Sequence, residues 1–189
     1  MAHTIVTIVG SLRKESFSLK IANALAKLAP ASLKLDVTTL EGISFFNQDL
    51  EAAPPADWLA FRDKLQKSNG VLFVTPEYNR SIPAVVKNAI DWGTRPWGQN
   101  SWAGKPGSVI GTSPGNVGTA VAQAHLKSVL TILDVILLGQ PEIYFVWKPG
   151  LINDEFEVTD DQTREFLQGY LAKFAGGIAQ AQPKQQKAA

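Results

Sequence analysis

The sequence predicts a doubly wound α/β domain, a parallel sheet with right-handed crossovers and helices on both faces. Two observations carry that prediction. Short apolar runs rich in β-branched residues alternate five times with segments of helical periodicity, and no internal repeat or linker interrupts them. The run Val71-Leu72-Phe73-Val74, with Gly70 before it and Pro76 after it, is apolar without a break, as a central strand covered on both faces should be.

Each element follows from its local pattern. Thr4 to Val9 is the first strand. Phe17, Ile21, Ala24, Leu25 and Leu28 recur at helical spacing and share one face of the first helix. Leu33 to Leu40 alternates apolar and polar residues, which suits an edge strand. Pro54-Pro55 leads into a helix carrying Trp58, Phe61 and Leu65. Pro83 suits the first turn of the next helix, whose Val86, Ala89 and Ile90 face inward until Gly93. Ser108 to Gly111 is a fourth strand, followed by a helix from near Gly118 to Leu133. Val135 to Leu138 and Ile143 to Val146 together make the last strand region. Thr159 with Gln162 reads as a capping box, opening a helix with Phe166, Leu167, Tyr170, Leu171 and Phe174 as its core stripe. The expected domain covers residues 1–179. The polar tail from Gln180 to Ala189 lacks periodicity and is expected to be disordered.

Composition narrows the function. At 189 residues and 45% hydrophobic, the chain is one globular domain. Eighteen basic against seventeen acidic residues leave a net charge of +1, which argues against a nucleic-acid face. Zero cysteines exclude disulfides, thiolate metal sites and a cysteine nucleophile, and only His3 and His125 are left for a histidine metal site. The N-terminus has no cationic stretch and only a six-residue apolar run, so neither a signal peptide nor a membrane span is expected, and the expected setting is the cytoplasm.

In a doubly wound sheet, ligands sit beyond the carboxyl ends of the strands where the strand order reverses. The loops after strands one, three and four should therefore be chemically unusual. The first, Gly10-Ser11-Leu12-Arg13-Lys14-Glu15-Ser16-Phe17-Ser18, runs into a helix start with hydroxyl donors and a guanidinium. It lacks both G-x-G-x-x-G and the ending of an NTPase P-loop, so it suits one terminal phosphate; a solvated turn with a serine cap fits it too. The second, Thr75-Pro76-Glu77-Tyr78-Asn79-Arg80-Ser81-Ile82-Pro83, is stiffened by prolines and could read the edge of a planar heterocycle. The third, Thr112-Ser113-Pro114-Gly115-Asn116-Val117-Gly118-Thr119, has glycines that admit close approach of a ligand. Turns chosen only for shape use the same residues, yet the three loops on one rim together fit FMN.

These motifs resemble the NADPH-dependent FMN reductase family. The resemblance rests on G-S-L-R-K-x-S-F-S, T-P-E-Y-N-x-S-I-P-x-x-x-K-N-A-I-D-W and T-S-P-G-x-x-G, and it runs in order from Thr4 to Gly177. It is closest to the branch of bacterial quinone and chromate reductases. It implies a flavodoxin-like fold, a five-stranded parallel sheet of order 2-1-3-4-5. It implies that Ser11, Arg13, Ser16, Phe17 and Ser18 hold the FMN phosphate, that Pro76, Glu77, Tyr78 and Asn79 line the isoalloxazine, and that Ser113 and Gly115 touch its other side. It further implies NAD(P)H as donor, hydride transfer through the flavin in ping-pong order, and quinones, chromate, ferric chelates, azo dyes or free flavin as acceptors. A homodimer, or in some members a tetramer, is implied as well.

The chain departs from that pattern in its fourth helix, where Val121 and Ala124 stand in place of an Arg and a Tyr that a tetramer contact would use. No catalytic side chain is expected, because the flavin carries the chemistry. Arg80 or Arg95 could attract an anionic substrate, or be an ordinary surface cation. Glu77 is expected to position backbone rather than to act as a general acid, and His125 to be structural or interfacial. In the tryptophan-rich segment after the third helix, Trp92 is expected in the core. Trp97 and Trp102 are expected at a subunit interface or as a wall over the flavin. An electron carrier of the same fold is disfavoured by the missing acidic surface, and a serine hydrolase by the missing G-x-S-x-G. A non-catalytic interaction protein of the same fold would fail to oxidise NAD(P)H.

Overall fold

A computed structural model describes residues 2–181. Strand β1 (His3–Val9) is flanked by β2 (Leu33–Thr39) at one edge and by β3 (Gly70–Thr75) on the other side. Next comes β4 (Pro106–Ser113), and every pairing is parallel. The fifth position holds two pieces, β5 (Ile136–Leu137) against the start of β4 and β6 (Ile143–Val146) against its end. The order is thus 2-1-3-4-5, with the fifth strand broken. The break has a register cause: β4 advances from Gly107 to Ile110 while the fifth strand advances from Leu137 to Ile143. The surplus loops out around Gly139, Gln140 and Pro141, where proline cannot supply a ladder N–H.

Strand side chains alternate between two cores. Ile5, Val9, Leu72, Val74 and Ile110 face α1 (Phe17–Leu28) and α5 (Asp161–Ala181). Val6, Ile8, Val71, Phe73 and Val109 face α2 (Ala56–Lys67), α3 (Ala84–Gly93) and α4 (Ala120–Ile132). All six residues of β3 are buried, so the uninterrupted apolar run does mark the central strand.

Four local expectations are corrected. The N-terminus of α5 is capped by Asp160, whose carboxylate accepts from Thr163 N at 2.7 Å, because the Thr159 hydroxyl is already donated to Gly150 O. Phe166 lies on the solvent side of that helix, 49% exposed, while the core stripe runs through Leu167, Tyr170, Leu171, Phe174 and Ile178. The expected tail begins too early, since α5 continues through Gln180 and Ala181, and the remainder of the tail lies outside the described residues. Trp102 is neither at an interface nor over a ligand. It is fully buried, its indole N–H donates to Ile90 O at 3.0 Å, and its ring lies over Gly93, where a Cβ would come within 2.1 Å of Nε1. Trp92 is buried as expected and stacks on Trp58.

Candidate functional site

The loops after β1, β3 and β4 converge on one cleft of about 190 Å³ at the carboxyl edge of the sheet. Ser11, Arg13, Phe17 and Ser18 form one wall; Pro76, Glu77 and Tyr78 form a second; Thr112, Ser113 and Pro114 form a third. The cleft adjoins a broader depression of about 690 Å³ that shares Phe17 and Pro114 and continues past Trp147 and Pro149. Other depressions lie along the flanks of α1, α5 and β6, away from these strand ends. Of the residues expected to bind a cofactor, Ser16, Asn79 and Gly115 do not line the cleft, although each sits in one of its loops.

The first wall is a helix start. Gly10 lets β1 turn tightly over β3: its N–H donates to Val74 O at 2.9 Å, and a Cβ there would sit 2.9 Å from Val86 and 3.0 Å from Thr75. Ser16 is the N-cap of α1, its hydroxyl accepting from Leu19 N at 3.1 Å. That leaves the N–H groups of Phe17 and Ser18 without acceptors among the described residues, at the positive end of the helix. Ser11 is buried and accepts from Arg13 N. The Arg13 guanidinium curls back onto Glu15 O and lies 4.4 Å over the Phe17 ring, which in turn stacks on Trp147 with centroids 4.5 Å apart. The expected phosphate fork is thus held on its own loop, at the lip of the cleft.

The second wall is a strained turn fastened to α4. Tyr78 and Ser81 exchange both backbone hydrogen bonds, at 3.1 and 3.0 Å, across Asn79 and Arg80, whose φ values of 51° and 63° define a type I′ turn. Asn tolerates the left-handed region, but Arg does so at a cost of roughly 1 kcal/mol, so neighbouring contacts must hold the turn in place. They come from α4. Its preceding residue, Thr119, is left-handed and offers no side-chain cap. Glu77 supplies one from across the cleft edge: its Oε2 accepts from Val121 N at 3.1 Å and from Ala122 N at 3.0 Å, while Oε1 pairs with Arg80 at 3.3 Å. One helical turn on, His125 Nδ1 lies 2.9 Å from Ser81 Oγ. His125 is therefore a structural clip, off the buried stripe of Ala122, Leu126 and Leu130. Tyr78 stands 50% exposed on this turn, with its ring free to cover a ligand.

The third wall is the end of β4. Ser113 Oγ accepts from Gly115 N at 3.0 Å, which folds the loop over the strand end. Gly118, at φ 56°, backs onto Tyr144, where a Cβ would lie 2.7 Å from its carbonyl carbon. Thr112 and Pro114 also line the cleft, and sequence reasoning missed both. The parity of β4 could have found Thr112, because it lies two residues past the buried Ile110 and points the same way. Of the two arginines considered for anion attraction, Arg80 is engaged by Glu77, and Arg95 is not on the cleft. Arg95 pairs with Glu51 at 3.3 Å and lies over Phe46 and Trp97. Trp97 itself is 82% exposed.

A family model described as NADPH-dependent FMN reductase matches residues 3–147. A 2-hydroxy-1,4-benzoquinone reductase from a Burkholderia species is 44% identical over 178 residues, covering 94% of this chain and 97% of the relative. A quinone reductase from Pseudomonas putida is 44% identical over 177 residues, covering 93% and 95% respectively. Among solved structures, FerB, a flavoenzyme NAD(P)H:(acceptor) oxidoreductase from Paracoccus denitrificans, superimposes with a TM-score of 0.92 at 43% identity. That match covers 95% of this chain and 99% of the other.

Proposed function

The chain belongs to the NADPH-dependent FMN reductase family, and we infer from its site that it is an oxidoreductase passing electrons from NAD(P)H through bound FMN to quinone acceptors. The observation that carries this reading is the pair of unclaimed N–H groups at Phe17 and Ser18, at the foot of a cleft whose opposite wall presents Pro76 and Tyr78. A helix N-terminus with serine hydroxyls and an arginine at its lip fits a phosphate monoester, and the apolar faces across the cleft fit a planar ring. When bound, FMN would accept two electrons from reduced nicotinamide and release them to the acceptor.

The chain's own work is placement. Ser11, Ser18 and the Phe17 and Ser18 N–H groups hold the phosphate, and Ser16 keeps that helix start in shape. Arg13 adds its guanidinium by swinging from Glu15 O toward the anion. Pro76, Tyr78 and Asn79 border the ring edge on a turn that Glu77 fixes to α4, and Ser113 with Gly115 closes the third side. Donor and acceptor use the same open face in turn. Metal oxyanions, ferric chelates and azo compounds are further acceptors that an open, unspecialised face would admit. The cytoplasm is the proposed setting; among the described residues no helix is long and apolar enough to cross a membrane.

Tyr78, half exposed, leaves the outer side of the cleft open to solvent, and a second copy of the chain is proposed to complete that wall. Exposed Trp97 and Phe45 mark the face that would be covered in a homodimer. Two measurements test the reading. Purified protein should release FMN rather than FAD on denaturation, and it should oxidise NAD(P)H steadily with a quinone present. Release of FAD, or failure to bind FMN on reconstitution, overturns it.

A further inference from the structure

Thr112 is 1% exposed, and its Oγ1 is shut off from water with no hydrogen-bond partner. Such an atom is costly in a folded protein and needs an explanation. Other buried hydroxyls of the sheet have partners: Thr7 donates to Ile5 O, Thr38 to Asp36 O and Thr75 to Pro76 O, while Ser108 accepts from Tyr170. Ser101 shares the condition, but its N–H bonds Gly93 O where α3 ends, at the far edge of the sheet. Thr112 alone among the described residues combines an orphaned hydroxyl with a place on the cleft.

Its direction is fixed by the pleat. Ile110 packs in the core with Ile21 and Leu25 of α1, and Thr112 faces the same side two residues later, where α1 begins. Ser18 and the free N–H groups lie on the opposing wall of that corner. A threonine has staggered rotamers that exchange its methyl and hydroxyl positions, so a polar group entering the corner would draw Oγ1 toward itself.

We propose that Thr112 is a cofactor ligand whose hydroxyl serves the ribityl phosphate chain of FMN, opposite the start of α1. The inference rests on the FMN reading above and adds a residue to it. It also makes the hydroxyl a burden to the flavin-free protein and an asset to the loaded one.

That opposition of signs is testable with Thr112→Val, which replaces the hydroxyl by a methyl of similar shape, and Thr112→Ser, which keeps it. FMN would be titrated into flavin-free protein and followed by quenching of flavin fluorescence. Lumiflavin, a ring without the chain, would be titrated alongside, and melting temperatures of the flavin-free forms recorded. Thr112→Val should weaken FMN by about tenfold or more. Lumiflavin affinity should hold within about twofold, and the flavin-free melting temperature should be unchanged or raised. Thr112→Ser should bind FMN within about threefold of wild type. Unchanged FMN affinity in Thr112→Val overturns the proposal, as does an equal loss of FMN and lumiflavin. If the valine variant does not fold, Thr112→Ala also removes the hydroxyl, and FMN binding equal to that of Thr112→Ser then refutes the role. A wild type that binds no FMN overturns the functional reading itself.

Discussion

Replacing Glu77 by alanine removes the cap of a helix in another part of the chain. Helix α4 enters from a left-handed residue with no capping side chain, so the N–H groups of Val121 and Ala122 depend on the Glu77 carboxylate. The Glu77 side chain is 11% exposed, so water replaces it poorly. Loss of an N-cap acceptor costs about 0.5–2 kcal/mol. Loss of an anion at the helix dipole adds roughly 0.3–1 kcal/mol. The contact with exposed Arg80 adds little to that. A total near 1–3 kcal/mol corresponds to a fall of roughly 2–12 °C in melting temperature for a chain of this size. Glu77→Gln keeps an acceptor oxygen without the charge, so it should recover most of the capping part. Thermal unfolding of the flavin-free protein by circular dichroism reads the stability, and hydrogen exchange at Val121 and Ala122 reads the cap itself. FMN affinity should fall with stability in Glu77→Ala, because the Tyr78 turn loses its main anchor. A melting temperature within about 1 °C of wild type, below the range the capping terms allow, refutes the capping argument, as do amides that stay protected.

The remaining predictions concern separate parts of the molecule. Trp102→Ala should destabilise the fold by roughly 3–5 kcal/mol in urea unfolding, because it empties a buried site over Gly93. Trp97→Ala should leave the unfolding free energy within about 0.5 kcal/mol of wild type but shift sedimentation toward monomer. Arg13→Ala should weaken FMN binding by about ten- to a hundredfold with the fold intact, and an unchanged dissociation constant by fluorescence titration would leave Arg13 as a solvated loop residue. Asp57 holds the loop before α2 through its carboxylate, which accepts from Ser44 N at 2.6 Å, and that hydrogen bond keeps its pKa below the ordinary 3.8. A depressed acid stabilises above the unfolded-state value and loses that contribution as pH falls through and below it. Asp57→Asn should therefore be the less stable protein at pH 7, and the gap should close only as pH falls through the lowered folded-state pKa of Asp57, as read by urea midpoints across pH.

Elements whose burial follows from local pattern were legible from sequence, and those decided at long range were not. The continuous run in β3 and the helical stripe of α1 announce themselves because each is covered by whatever packs on it. Trp102 was misplaced because a loop tryptophan has no periodicity to show where it goes. The fold brings residues 94–105 back beneath α3, where Ser101 N bonds Gly93 O. The available signal was Gly93, a glycine in the last turn of a helix where a large ring could lie flat. Phe166 failed for a smaller reason. One position of helical phase separates it from the true stripe, and apolarity alone cannot choose between adjacent faces. The broken fifth strand has a visible cause in Gly139 to Pro141, but the amount of surplus chain appears only when both pieces are set against β4.

For the site, topology did the predicting: a doubly wound sheet says which loops matter before any side chain is considered. What it could not say was how those loops are held. Glu77 sits in the loop that should read the ring, so its placement there was legible; its bond to the N–H groups of Val121 and Ala122 spans 44 and 45 residues and leaves no local trace. The missing cap was hidden at the other end too, since Thr119 stands at the capping position and threonine ordinarily caps; only its left-handed backbone takes its hydroxyl out of use there. The same carboxylate that lets α4 begin also pins the strained Asn79-Arg80 turn, so α4 and the ring-edge loop should move as one body. Substitutions at the start of α4 should accordingly change flavin binding without touching the flavin.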